Sequence, residues 1–306
     1  MGQTRLLVVG GSGFIGRYVV ERGLRQKWHV TSIGLRMPEI SKKTAGARYI
    51  EANITQASSL ENLGDSKFDY VVNLAGYIDH ELFGTGGRRV ISSHFDGLLN
   101  LLEFLDRSTI KRFIQIGSSD EYGNAAAPQH ERLRESPISP YSLAKVSSTH
   151  LLQMLYRTEG FPAVILRLFL TYGPRQDSQR FLPQIIRGCL QNREFPVSGG
   201  AQIRDFCYVE DIVESVFRCL DCASVNGELL NIASGEPKQV REVVEFIVKL
   251  IGSGRPKFGK IPYRKGENMS LYADITAARK VIKWSPKYTL LDGLNSTIDW
   301  FRLKNA

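Results

Sequence analysis

Through the first half of the chain, short apolar runs alternate with longer stretches whose apolar residues recur every three or four positions. RLLVV (Arg5–Val9), HVTSI (His29–Ile33), RYI (Arg48–Ile50), YVVNLA (Tyr70–Ala75), RFIQI (Arg112–Ile116) and AVILRL (Ala163–Leu168) have the length and β-branched content of strands. Ile15–Arg25, Val90–Asp106 and Tyr141–Thr158 have helical spacing. Strands separated by helices pair in parallel, and the helices cover both faces of the sheet. The pattern therefore predicts a doubly wound α/β sheet. After about Gly173 it changes: helix-like Leu182–Gln191, Asp211–Asp221, Val240–Ile251 and Leu291–Leu303 mix with short strands and loops rich in Gly, Pro and Lys. Two regions are expected, 1–173 as the sheet and 174–306 as a smaller, mostly helical unit with some chain crossing back.

Composition narrows the class. At 306 residues, 42% hydrophobic and 23% charged, the chain reads as a soluble globular protein with a sizeable core. No apolar run approaches the length of a membrane span, and MGQTRLLVVGG lacks the three parts of a signal peptide, so no membrane contact and a cytoplasmic location are expected. The four cysteines are irregularly placed. Cys219 and Cys222 form a CxxC without a second ligand pair, so all four read as buried or half-buried thiols and no metal is expected. The net charge of +9 is spread along the chain without an aromatic-interleaved basic tract. That argues against nucleic acid and suits an anionic small molecule.

The chemistry begins at VVGGSGFIGRYV, where Gly10, Gly13 and Gly16 lie between the first strand and the first helix. Glycines there permit a tight turn and close approach of a pyrophosphate, and the helix N-terminus supplies free N–H groups and partial positive charge. A dinucleotide cofactor is expected. The second strand runs into Gly34-Leu35-Arg36, without the acid that usually takes the ribose hydroxyls of NAD. Arg36, assisted by Arg17, could pair with a 2′-phosphate, which favours NADP(H) and leaves NAD open. Asn53, after the third strand, is placed to contact the adenine.

PYSLAK sets Tyr141 and Lys145 one helical turn apart on one face. An ammonium beside a phenol lowers the phenol's pKa and makes it a usable proton carrier. Taken alone the pair is an ordinary surface neighbour. It gains weight because GSSDEYG, with Ser118 and Ser119, follows the fifth strand, and strand ends on that side of a parallel sheet are where ligands sit.

Together with NLAG (Asn73–Gly76), RLFLTYGPRQ (Arg167–Gln176), RDFCYVEDIV (Arg204–Val213), NIASGEP (Asn231–Pro237), YRKGE (Tyr263–Glu267) and KWSPKYTLLDGL (Lys283–Leu294), these motifs resemble the extended short-chain dehydrogenase/reductase family. The similarity is to its NAD(P)-dependent nucleotide-sugar epimerase/dehydratase branch, over nearly the whole chain. The resemblance implies a Rossmann sheet, with Gly10, Ser12, Gly13, Phe14, Ile15, Gly16, Arg36, Asn53, Ile54, Leu74, Ala75 and Gly76 around the cofactor. It implies Tyr141 as proton carrier, Lys145 on the nicotinamide ribose, and Ser118 on the reacting oxygen with Ser119 as fallback. Arg204 and Arg264 match the arginines that hold a nucleotide diphosphate, and Asp79 and His80 of the loop Gly76–Arg89, with Asp120, are placed to line the sugar pocket. Leu170 departs from an Asn common in the family. Asp120–Glu121 falls near, though one residue out of register with, the acidic pair of the dehydratases.

The resemblance is strongest to 4-ketoreductases of deoxysugar nucleotides, of the CDP-abequose synthase type found in surface-polysaccharide pathways. It implies NADPH-dependent reduction of a nucleoside-diphosphate 4-keto-6-deoxy sugar. A 4-epimerase or 4,6-dehydratase that recycles tightly held NAD is the alternative. A non-catalytic NADP-binding regulator on the same fold is a third reading, against which the intact Ser, Tyr and Lys argue. A homodimer joined by a four-helix bundle of Val90–Asp106 and Tyr141–Thr158 is also implied.

Overall fold

A computed structural model describes residues 2–263 and 266–305. Six strands of the first half form in the order the apolar runs require: β1 (Arg5–Val9), β2 (His29–Gly34), β3 (Arg48–Glu51), β4 (Tyr70–Asn73), β5 (Arg112–Ser118) and β6 (Ala163–Leu168). The helices between them are α1 (Phe14–Arg25), α2 (Arg88–Ile91), α3 (Gly97–Phe104) and α4 (Pro140–Glu159). The second half supplies β7 (Leu170–Tyr172), α5 (Phe181–Leu190), β8 (Glu194–Pro196), β9 (Ile203–Tyr208), α6 (Val209–Asp221), β10 (Leu229–Ile232) and β11 (Pro237–Gln239). It closes with α7 (Val240–Ile251), β12 (Arg255–Lys257), β13 (Ser270–Leu271), α8 (Thr276–Val281) and α9 (Leu290–Asn305).

The main sheet is parallel throughout, in the order β3-β2-β1-β4-β5-β6-β10. Alternation along each strand decides which layer a side chain joins. In β1, Leu6 and Val8 pack with Val19 and Val20 of α1 and with Val216 and Phe217 of α6. Leu7 and Val9 pack on the other face with Leu98 and Leu101 of α3 and Leu152 of α4. Both faces are thus covered, and the strand order reverses between β1 and β4, where open α/β sheets place their ligands.

The second region is not separate in space. β10 pairs with β6, and α6 packs against α1, so residues beyond 173 complete the large sheet and one of its layers. The remainder forms its own core around α5, α7 and α9 over a small mixed sheet in which β9 pairs with β7, β11 and β13. Two expected elements differ in detail. β4 stops at Asn73, because the Asn73 Oδ1 accepts the Ala75 N–H at 3.1 Å and bends the chain out of the ladder. The helix expected over Val90–Asp106 begins at Arg88, ends at Phe104, and widens to a π turn over Ser92–Asp96. No helix among the described residues is long and apolar enough to cross a membrane.

Candidate active site

The turn after β1 is built from backbone alone. Gly10 has φ 81°, a region that disfavours other residues. A Cβ on Gly16 would lie 2.2 Å from the Gly10 carbonyl oxygen, so the helix start and strand end touch. Gly13 caps α1 with no side chain on the first N–H groups. An uncapped helix N-terminus behind a side-chain-free turn fits a pyrophosphate. Ser12, Phe14 and Ile15 ride on this turn. Leu74, Ala75 and Gly76 leave β4 beside it, with the Leu74 carbonyl 3.3 Å from where a Gly10 Cβ would be. Ile54 is buried under Gly97 instead of facing the turn, and the Asn53 Oδ1 is held in a local turn by the Thr55 N–H and hydroxyl. Arg36 is exposed just past β2. Arg17 does not join it: its Nη2 donates to the Arg175 carbonyl at 2.9 Å.

Across from the turn, α4 starts at Pro140, where the Ser139 hydroxyl accepts the Ser142 N–H at 3.1 Å. This cap places Tyr141 in the first turn and Lys145 in the next. Both are 4% exposed. Lys145 Nζ donates to the Ile116 carbonyl of β5 at 2.7 Å and lies 5.8 Å from the centre of the Tyr141 ring. Ser118, the last residue of β5, hydrogen-bonds with Tyr141, while its hydroxyl also accepts the Asp120 N–H at 3.2 Å. The structure thus brings Ser118, Tyr141 and Lys145 together, with Ser119 buried beside them.

The electrostatics differ from the expectation that Lys145 lowers the phenol. Burial pushes the Tyr141 pKa well up, and the Asp120 carboxylate adds to the rise. Ser118 and, more weakly, Arg180 pull the other way. Lys145 is itself drawn down to about 8 by burial, with Glu121 opposing. Enclosure in a low-dielectric site disfavours both charged forms, and here it outweighs their mutual attraction. The phenol is held protonated, as a donor.

The turn after β5 separates the two acids. Glu121 is fully buried: Oε1 accepts the Ser118 N–H at 2.8 Å, and Oε2 accepts the Thr149 hydroxyl at 2.8 Å and Arg167 Nε at 2.9 Å. Arg167, also fully buried, bonds Glu135 at 2.6 Å through Nη2. Asp120 faces the opposite way, with Oδ2 3.7 Å from His80 Nε2. The neighbouring Asp79 is spent on a local turn, accepting the Glu81 N–H at 2.9 Å. Arg204 is ion-paired with Glu267 at 2.8 Å. Arg264 lies outside the described residues. Cys189, Cys207 and Cys219 are buried and Cys222 half-buried, and no cluster of potential metal ligands occurs among the described residues.

Two residues near the phenol went unnoticed in the sequence. Arg180 stands at the cap of α5, close enough to act on Tyr141. His94, in the π turn, is 4% exposed and meets the Tyr141 ring edge-on at 5.1 Å. Its Nε2 lies 3.0 Å from the Tyr77 carbonyl, so that nitrogen carries the proton, and its buried Nδ1 has no partner. Burial and Lys145 drive its pKa to about 3. A Cβ on Gly76 would fall 2.0 Å from the ring, so only glycine fits there. A lone histidine in an apolar helical run carries no sequence signal that separates this place from an ordinary core.

The family model described as "NAD dependent epimerase/dehydratase family" matches residues 6–233. A UDP-glucuronate 4-epimerase of Thermodesulfobacterium geofontis is 26% identical over 96% of this chain and 95% of its own length. A dTDP-glucose 4,6-dehydratase of Haemophilus influenzae is 28% identical over 98% of both. Among solved structures, a UDP-glucose 4-epimerase of Thermotoga maritima with UDP-glucose superposes with a TM-score of 0.91 at 27% identity, covering 99% of this chain and 100% of the other. A UDP-glucuronic acid 4-epimerase of Bacillus cereus, in complex with UDP-glucuronic acid and NAD, gives 0.88 at 27% identity, with 98% and 100% covered.

Proposed function

The chain belongs to the NAD dependent epimerase/dehydratase family, and from that premise we propose that it acts at C4 of a nucleoside-diphosphate hexose, inverting that carbon with a retained nicotinamide dinucleotide. The observation that carries the reading is the Ser118–Tyr141–Lys145 set facing the side-chain-free turn across the strand ends. A nicotinamide dinucleotide bound on that turn would supply the hydride acceptor and donor for C4. Tyr141 moves the proton at the C4 oxygen, and Ser118 holds that oxygen while its charge changes. Lys145, fixed on the Ile116 carbonyl, supplies positive charge beside the phenol. Glycines 10, 13 and 16 seat the pyrophosphate.

Dehydration is the weaker member of the family's reactions here. Elimination needs a second acid and base at the sugar, and Glu121 is committed to Arg167, Thr149 and the Ser118 N–H. The 4-epimerases among the relatives, with sugar nucleotides named for UDP, support inversion. A second reading, reduction of a 4-keto sugar by NADPH, is favoured by the exposed Arg36 just past β2, whose own end carries no acid, and by a phenol held protonated. We further propose a homodimer through the helices flanking the sheet, where Leu143 and Met154 of α4 are 46% and 40% exposed; a monomer mass in light scattering would refute it.

The test is a panel of UDP-glucose, UDP-glucuronate and nucleoside-diphosphate 4-keto-6-deoxy sugars, followed by chromatography and nicotinamide absorbance. A 4-epimer formed without net change in the cofactor establishes inversion. Stoichiometric NADPH loss establishes the reductase. Cofactor binding without turnover of any sugar leaves only a regulator.

A further inference from the structure

Where the first helix meets the last one, positive charge gathers that the C4 chemistry does not use. Arg17 and Glu21 of α1, residues 41–45 between β2 and β3, Arg175 after β7, and Trp300 and Lys304 of α9 line an open cleft of about 660 Å³. Five of the lining side chains are cations, Lys42 and Lys43 among them, and Glu21 alone is an acid. Glu21 is engaged by Arg175, whose guanidinium also lies over the Tyr18 ring, 5.4 Å from its centre. Lys42 has Glu39 at 3.5 Å. Arg17, Lys43 and Lys304 have no acid within ion-pairing distance among the described residues.

Arg17 is placed worst of the five. It stands in the first turn of α1, at the positive end of the helix dipole, which disfavours a cation. Its Nη2 donates to the Arg175 carbonyl at 2.9 Å, and its buried Nε has no partner. Burial and the Arg175 charge hold its pKa below the ordinary guanidinium value. An unmet buried donor and a like charge beside it are both destabilising, and one anion in the cleft relieves both. Phosphate fits this donor set, because its oxygens accept from a guanidinium fork and from ammonium groups together. The space is that of a small-molecule site and exceeds what a bare phosphate fills.

We propose that this cleft holds the phosphate monoester of a nucleotide-class molecule, on Arg17, Lys43 and Lys304. Arg17 directly follows Gly16 of the glycine turn, so one source of the phosphate is the adenosine 2′-phosphate of NADP(H). The other is a separate phosphorylated molecule bound beside the dinucleotide. Arg36 does not line the cleft. Neither source involves a sugar at the Tyr141 site, so the inference goes beyond the C4 reading and does not depend on it.

The test is calorimetric titration of the whole chain, without any sugar. NADPH is compared with NADH, and inorganic phosphate and adenosine 5′-monophosphate are then titrated into the chain saturated with NADH. The series is repeated on Arg17→Gln and on the double variant Lys43→Ala/Lys304→Ala, which changes two exposed side chains. Thermal unfolding checks that the variants are folded. NADPH bound at least ~10-fold more tightly than NADH, with the preference lost in the variants and NADH affinity kept by the double variant, upholds the site and assigns the phosphate to the cofactor. Equal affinity for the two dinucleotides, with phosphate or the monophosphate bound to the NADH-loaded chain and weakened ~10-fold or more by the variants, upholds the site and assigns it to a second molecule. Neither an NADPH preference nor phosphate binding overturns the proposal. So does either one if the variants leave it unchanged, because the phosphate then lies elsewhere.

Discussion

Two buried polar clusters share the turn after β5, and they are built by opposite rules. On one side, both Glu121 oxygens are engaged, by Ser118, Thr149 and Arg167, and Arg167 reaches on to Glu135. On the other, Tyr141 is protonated against its own hydrogen bond to Ser118, Lys145 is shifted toward neutrality, and His94 Nδ1 is buried without a partner. The first cluster matches opposite charges at close range and fastens α4, β5 and β6 together. The second holds buried groups in their uncharged forms, Tyr141 and His94 firmly so, and leaves Lys145 alone, at about 8, to titrate near neutrality. Burial alone does not distinguish structure from chemistry. Close pairing of opposite charges does, since each side also buries one unpartnered nitrogen, Arg167 Nη1 and His94 Nδ1.

The comparison can be broken at either end. Tyr141→Phe removes only the hydroxyl, so turnover should fall by ~10²–10⁴-fold while the urea midpoint barely moves. Glu121→Ala leaves Arg167 buried with a charge that Glu135 alone must match, and should cost about 3–5 kcal/mol in urea unfolding. If Glu121→Ala were mild in stability and severe in turnover per folded molecule, the assignment of the two sides would be reversed.

The pH dependences sharpen it further. Lys145 titrates at about 8 in the folded chain and near its ordinary 10.5 in the unfolded one. Between those values the unfolded chain holds the extra proton, so this group's contribution to stability rises with pH. Turnover should fall over the same limb, because a neutral Lys145 no longer favours the phenolate. Denaturant titrations and kcat profiles measured together should diverge above about pH 8. His94 gives a smaller effect on the acid side. Its pKa of about 3, against the ordinary 6.5, means that the unfolded chain binds a proton the folded chain refuses, so stability is lost as pH is lowered from 6.5 towards 3. His94→Asn should flatten this limb and lower turnover by ~10-fold through looser placement of the Tyr141 ring. An unchanged acid limb would show that His94 contributes nothing to it.

The strand positions and the glycine turn were legible because each rests on local chemistry: β-branched runs, and a backbone that only glycine permits at Gly10. Ser118, Tyr141 and Lys145 could be read because a helical spacing and a strand end place them. The sign of the phenol's shift could not, since it depends on enclosure contributed by distant segments. Nor could the opposite facing of Asp120 and Glu121, which one residue of register in a tight turn decides. The ion pair of Arg204 could not be read either, because its partner Glu267 lies 63 positions away. His94 was hidden because the widening of its helix over Ser92–Asp96 leaves no compositional mark.

The return of β10 to the edge of β6 has a consequence for how the protein is made. A chain grown only to residue 173 already contains Ser118, Tyr141 and Lys145, yet its sheet ends at β6, an apolar strand with one side unpaired. Until residues 229–232 emerge, that edge is a template for another chain. A message truncated between these points would encode Ser118, Tyr141 and Lys145 on a sheet with an open apolar edge, so the chain cannot be shortened to those residues without exposing that edge.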